Sequence, residues 1–289
     1  MVRPLTAADT VDARSLLRAR PIQNVFLDYI VAAGVLGRVP GFFGFAPRGR
    51  LEAILMIGPQ GGTALEVRDA SAFAPLAAEA ARCALRPRHI VGSEDVTEPF
   101  WREYERFAAG LRWTRREPVL VAGRPDLRVT RATEKQATLE PAREADVAEI
   151  TANSAEQHRE DLRDDRASAD ATGFLERHAK DVRDGRWWIV RERGGIVFQV
   201  HVGAANAQAV QLGGVFVPPA SRGRGHATAG VRAICARLLE RHALVTLYCD
   251  EANEGARRVY ERVGFRLAFC NRSYLLDEPF ARAELQGYG

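Results

Sequence analysis

Two short constellations in the C-terminal half of the chain are built for chemistry. The first is VPPASRGRGHATAG, residues 217–230. It follows the apolar, β-rich run AVQLGGVFV (209–217) and leads into a segment where Ala227, Val231, Ile234, Cys235 and Leu238 recur at helical spacing. Pro218 and Pro219 end the strand, because neither can donate to a ladder. Gly223 and Gly225 then fall at a helix start, where unsatisfied N–H groups and a partial positive charge meet. With no side chain to hold an anion off, such a start makes a phosphate or pyrophosphate site. Arg222 and Arg224 add positive field. A P-loop would place a lysine here, and there is none nearby. A dinucleotide fingerprint fails because Thr228 stands at its third glycine position.

The second constellation lies in LVTLYCDEANEGARRVYERVGFR, residues 244–266. Asn253, Ala256 and Tyr260 are spaced by three and four, which sets them along one face of a helix. Asn253 is a natural N-cap and Gly264 a natural terminator. Tyr260 would present a phenolic proton on that face.

Together these motifs resemble the GNAT superfamily of N-acetyltransferases. Arg222 to Ala227 has the form R-x-x-G-x-A, similar to the acyl-CoA loop Q/R-x-x-G-x-G/A. Asn253, Ala256, Tyr260, Gly264 and Phe265 match N-x-x-A-x-x-x-Y-x-x-x-G-F. The resemblance covers roughly 137–278. It implies that strands 209–217 and 243–249 splay apart and that acetyl-CoA lies in the notch as acyl donor. Backbone groups near Val215, Phe216 and Val217 would bond the pantetheine arm, with Asn253 and Ala256 beside it. The N–H groups of Gly223, Arg224, Gly225, His226 and Ala227 would hold the pyrophosphate. Tyr260 would lie near the thioester sulfur as general acid for the departing thiolate. Many family members carry a glutamate base on the strand before the loop. Here that region offers Gln208 and Gln211, which cannot titrate. His201, on the neighbouring strand, has a suitable intrinsic pKa and is the candidate base. Glu156 and His158 fall where the family's acceptor-binding helices lie, and deprotonation through water is a further route.

The elements that position these residues form an α/β (α+β) chain with a repeated plan. FFGFAPRGRLEAILM (42–56) parallels WWIVRERGGIVFQVH (187–201), with Gly49 and Gly194 in the same place. YERFAAGLRW (104–113) parallels YERVGFRLAF (260–269). Helices are expected near 8–20, 22–36, 72–84 and 97–109, with strands near 42–46, 51–57, 63–67, 88–92 and 112–122. Residues 123–140 read as a connector. Beyond it, helices are expected from about Ala142, at 226–241 and at 254–263. Strands are expected at 187–191, 196–203, 209–217, 243–249, 265–270 and 272–277. The plan resembles tandem-GNAT proteins: a degenerate GNAT-like domain at 1–126 and a catalytic one at 127–289, each a mixed, mostly antiparallel sheet flanked by helices. The first half has no R-x-x-G-x-G/A, so the second is expected to carry the donor.

Composition narrows the classes. The chain has 289 residues, a net charge of +4, and 46% hydrophobic and 27% charged content, as in a soluble globular protein. Lys135 and Lys180 are the only lysines among 41 basic residues, and the arginines are interleaved with acids, unlike a nucleic-acid footprint. EQHREDLRDDRASAD (156–170) is read as a solvated charged face, with attraction of a cationic amine as the alternative. Trp187 and Trp188 must face opposite sides of their strand, one toward the core. Cys83, Cys235, Cys249 and Cys270 form no C-x-x-C pair, and no zinc spacing is present, so no metal is expected. No run reaches the ~18 apolar residues of a membrane span, and the first residues lack a signal-peptide core. The expectation is a cytoplasmic acetyltransferase, monomer or homodimer, acting on a small-molecule or peptide amine without nucleic acid or membrane. Its alternatives are a non-catalytic acyl-CoA-binding or sensing protein, and a module that uses only the fold.

Overall fold

The computed structural model describes residues 1–128, 135–162 and 170–277. The chain divides into two compact units, one of Met1–Pro118 with Phe269–Gly289 and one of Val119–Ala268.

In the first unit, β1 (Val2–Pro4), β2 (Phe42–Phe45), β3 (Ala53–Ile57) and β4 (Gly62–Val67) are successive antiparallel neighbours. β5 (His89–Ser93) runs parallel to β4. Helices α1 (Thr10–Leu17) and α2 (Val25–Ala32) cover one face, α3 (Phe73–Arg82) and α4 (Glu94–Tyr104) the other. Period-2 alternation supplies both cores from one strand. Ala53, Leu55 and Ile57 pack under α3 and α4, while Ile54 and Met56 pack under α1 and α2. Each fully buried Leu or Ile contributes about 1.5–3 kcal/mol over its exposed state.

The second unit repeats this plan. β7 (Glu140–Pro141), β8 (Trp187–Glu192), β9 (Gly195–Ala205) and β10 (Ala209–Phe216) are antiparallel neighbours, and β11 (Leu244–Tyr248) lies parallel to β10. Helices α5 (Val147–Leu162) and α6 (Ala171–Arg183) pack on one face. Helices α7 (His226–Leu238) and α8 (Glu254–Val263) pack on the other. α7 sits close because Gly230 faces Phe198: a Cβ there would lie 2.5 Å from the ring. Gly49 and Gly194, matched in the sequence repeat, both turn their hairpins with positive φ.

The units exchange their last strands. β6 (Leu111–Gly123) begins in the first unit, and its end, Val119–Gly123, pairs with β11 of the second. β12 (Arg266–Leu276) begins in the second unit, and its residues Asn271–Leu275 pair with β5 of the first. The division between the two compact units lies at 118/119, and β12 from Phe269 onward belongs to the first. Local pattern cannot reveal this, because the apolar run at 119–123 is buried throughout and does not name its partner strand.

Other boundaries shift for local reasons. The helix expected from Ala142 starts at Val147, because Ala142 N–H bonds the Trp187 carbonyl and Asp146 caps the Arg143 N–H. The helix expected at 97–109 runs Glu94–Tyr104, and the strands expected at 265–270 and 272–277 are one. α6 was not foreseen; its buried face is only Phe174, His178 and Val182 at i, i+4 spacing. Parts of the connector (129–134) and of the charged stretch (163–169) lie outside the described residues.

Candidate functional site

β10 and β11 pair at three positions and part after Gln211 and Thr246. β10 continues to Phe216 without that partner. On its other edge the register with β9 shifts between Gly213 and Phe216. Gly214 adopts φ +56°, and a Cβ there would lie 2.7 Å from the Trp187 ring, so this bulge requires glycine. The strands diverge as expected, and a cleft of about 760 Å³ opens between them.

The cleft brings together most of the expected donor-binding residues. Val215, Phe216, Val217, Arg222, Gly223, Gly225, His226, Ala227, Asn253, Ala256 and Tyr260 all line it. Gly223 and Gly225 take φ +75° and +81°, and Gly225 is the N-cap of α7. The first N–H groups of that helix therefore face an open, side-chain-free turn, the geometry of an anion cradle. Arg224 is exposed and is not among the lining residues.

Arg222 is already engaged. Its Nη2 donates to both Glu160 carboxylate oxygens at 2.8 and 2.9 Å, and its Nε donates to the Val217 carbonyl at 3.0 Å. The guanidinium also lies over the Phe216 ring. Gln157 Nε2 donates to the Val215 carbonyl at 3.2 Å. Both carbonyls expected to meet a pantetheine arm thus have side-chain donors here. The His226 ring is buried behind the loop, with Lys135 Nζ 3.3 Å from its Nε2. Burial and the Lys135 charge hold its pKa below the usual histidine range, so it starts the helix as a neutral ring. Lys135 in turn bridges to Glu192 at 2.8 Å.

On the far wall, Asn253 caps α8 by accepting the Ala256 N–H at 3.0 Å. Gly264 ends the helix at φ +120°, where a Cβ would strike the Asp126 carbonyl at 2.0 Å. Tyr260 is buried, its ring packed on Phe265. Burial, reinforced by Cys249 and Asp161, raises its phenol pKa far above the ordinary value. The proton is therefore retained at any physiological pH, as a proton donor requires. Cys235, in the same core, is pushed up to about 12 by burial and is inert.

His201 stands apart. It lies on β9 opposite Gly213, with Nε2 3.4 Å from Asp181 Oδ2 and its ring beside Trp187, and does not line the cleft among the described residues. Glu156 is tied to Arg159, and the His158 ring packs edge-on against Phe174; neither lines the cleft. Of the two tryptophans, Trp187 is buried on the α6 side and Trp188 lies under Arg237. Gln157, Glu160 and Asp161 reach the cleft from one face of α5 and were missed. Their i, i+3, i+4 spacing was the available signal. Lys135 was visible only as one of two lysines. Among the described residues no group of three His, Cys, Asp or Glu side chains is placed to hold a metal. No helix among them is long and apolar enough to cross a membrane.

Comparison with known proteins gives a concordant result. The family described as Acetyltransferase (GNAT) domain matches residues 136–266. No curated protein matches the chain. Among solved structures, an acetyltransferase from the GNAT family of Colwellia psychrerythraea is similar at 8% identity and TM-score 0.62, covering 96% of this chain and 99% of that one. A GCN5-related N-acetyltransferase from Sphaerobacter thermophilus is similar at 17% identity and TM-score 0.60, covering 95% and 94%. A tandem GNAT protein from the clavulanic acid biosynthesis pathway is similar at 14% identity and TM-score 0.59, covering 94% and 97%. At such identities these structures speak for the fold alone. A splayed β10–β11 pair, a glycine cradle at the start of α7 and the sequence match over 136–266 agree: residues 136–266 of the second unit are a GNAT acetyltransferase domain.

Proposed function

We propose that the second unit transfers an acetyl group from acetyl-CoA to a primary amine by direct attack. The observation that carries this is the convergence of the Gly223–Ala227 cradle, Asn253 and Tyr260 on one cleft. The α7 N–H groups and the helix dipole would neutralise the donor's pyrophosphate. The edge of β10 freed from β11 offers backbone groups to the pantetheine amides, and bulge N–H groups near Val215 can stabilise the oxyanion. The amine nitrogen then bonds the acetyl carbon, the carbon–sulfur bond breaks, and Tyr260 protonates the leaving thiolate. His201 or a water chain accepts the amine's proton.

A second reading is a non-catalytic acyl-CoA-binding or sensing protein. It is favoured by one observation: β10 carries no titratable side chain, and His201 lies outside the cleft lining. A thiol-release assay with acetyl-CoA and a panel of small amines, amino acids and N-terminal peptides separates the two. Amine-dependent release of coenzyme A supports transfer. Saturable binding of acetyl-CoA with no release for any amine supports the sensor.

A further inference from the structure

The start of α7 carries a buried titratable group that the transfer chemistry does not use. His226 is the first residue of that helix, directly after the Gly225 cap, and it is among the residues around the donor cleft. Its side chain is only 1% exposed. Lys135 Nζ lies 3.3 Å from His226 Nε2 and 2.8 Å from Glu192 Oε1, and Glu192 Oε2 lies 3.8 Å from the same ring nitrogen. A lysine ammonium can only donate, so Nε2 is the acceptor and the neutral ring carries its proton on Nδ1. That buried Nδ1 has no hydrogen-bond partner among the described residues.

The charged groups that act on this ring are Lys135 from the connector, Arg224 from the loop and Glu192 at the end of β8. Burial is the strongest influence; it and the two cations oppose a proton, and Glu192 offsets them only in part. Lys135 is packed against the turn itself, since a Cβ on Gly225 would lie 3.7 Å from Lys135 Cβ. A protonated His226 would add a third cation to a place that already holds two and the positive end of a helix dipole. A bound anion reverses this balance. A pyrophosphate on the α7 N–H groups would set negative charge at the same helix start, close enough to act on a ring shielded from water. The ring that stays neutral in the free protein then becomes able to accept a proton. Protonation ends the Lys135 hydrogen bond at Nε2, because both groups are then donors, and leaves Glu192 as the acceptor between them.

We infer that binding of the acyl donor is coupled to uptake of a proton by His226, with Lys135 and Glu192 setting the pH at which this occurs. This rests on the reading of the Gly223–Ala227 turn as the donor cradle and adds a regulation to it. By reciprocity, a protonated ring tightens the donor as much as the donor favours the proton. In the free protein the ring titrates below the ordinary histidine value, and the donor raises it. Affinity should therefore increase as pH falls through the donor-bound value and level off below the free one.

Calorimetric titration of the full chain with acetyl-CoA between pH 8 and 5, in paired buffers of different ionisation heat, counts the protons taken up. His226→Gln is the reference, because any titration of the donor's own phosphates is common to both proteins. The wild type should gain about 5- to 10-fold in affinity over His226→Gln across this range, with additional proton uptake in the same window. Lys135→Met keeps the buried ring and removes an opposing cation, so it should move the window to higher pH. Equal proton uptake and parallel affinity profiles in the wild type and His226→Gln, or an unmoved window in Lys135→Met, overturn the coupling and leave the donor site standing. A wild-type chain that binds no acetyl-CoA overturns the donor reading and the coupling with it.

Discussion

Arg20 Nη1 lies 3.4 Å from Glu66 Oε1, and with Nη2 3.0 Å from Ser93 Oγ one guanidinium ties the diverging ends of β4 and β5 together. These strands pair only at Gly62–His89 and Thr63–Ile90 before parting, just as β10 and β11 part in the second unit. In the second unit the parted strands enclose a cleft; in the first, Arg20, Asn24 and Asp95 fill the space around Glu66 and Ser93.

Arg20→Ala should destabilise the chain by on the order of 3 kcal/mol in urea unfolding, because it leaves Glu66 buried without its cation. Burial already pushes the Glu66 carboxyl up, opposed by Asn24 and Arg20. A raised folded pKa favours the fold below the ordinary carboxylate value and disfavours it as pH rises. The penalty should therefore be larger at pH 7 than at pH 4, where the protonated acid needs no partner. Acetyl-CoA affinity should not change.

Tyr260→Phe should lower kcat by about 10²-fold with little change in acetyl-CoA affinity. The raised phenol pKa means that the wild-type rate should show no alkaline fall due to Tyr260 below pH 10. Unchanged kcat in a thiol-release assay would remove Tyr260 from the mechanism.

Glu160→Gln should tighten acetyl-CoA binding. The carboxylate pairs with Arg222 in the same cleft as the cradle and offsets its charge, and both groups are half-exposed, so the gain should be only a few-fold. It should shrink as salt is raised, since the released cation acts through a solvated field. Titration at two ionic strengths reads both effects.

Lowering the pH from 8 to 5 should lower Tm, through His178 and His226. Burial holds both rings below the ordinary value, with Lys135 adding to the effect at His226. The unfolded chain therefore takes up protons first. Stability present above pH ~6.5 is lost as pH falls through that value toward the folded one. His178→Gln should flatten part of the slope; an unchanged slope would mean that this ring titrates alike in both states.

What the sequence discloses here depends on how local the signal is. Gly225, Asn253, Tyr260 and Gly264 are legible because each does its work within one turn or one helix: an αL cap, an N-cap, an inward face and a terminator. Gln157, Glu160 and Lys135 are not, because they come from segments 58 to 91 residues distant from their partners Val215, Arg222 and His226. The exchange of β6 and β12 was hidden for the same reason, since pairing partners are chosen by the tertiary sheet. His201 shows the limit from the other side. Its strand was readable, but its side chain lies beside Asp181 and Trp187 and does not line the cleft, which only the tertiary packing reveals.

The central claim is that one glycine cradle, at the start of α7, holds the acyl donor. Calorimetric titration of the wild-type chain and of Gly225→Val with acetyl-CoA tests it most directly. A β-branched residue at φ +81° is strained, and the strain falls on the turn that starts α7, with the new Cβ 3.7 Å from Lys135 Cβ. The predicted result is one acetyl-CoA bound per wild-type chain and none by Gly225→Val. Equal affinity in the two proteins would contradict the account.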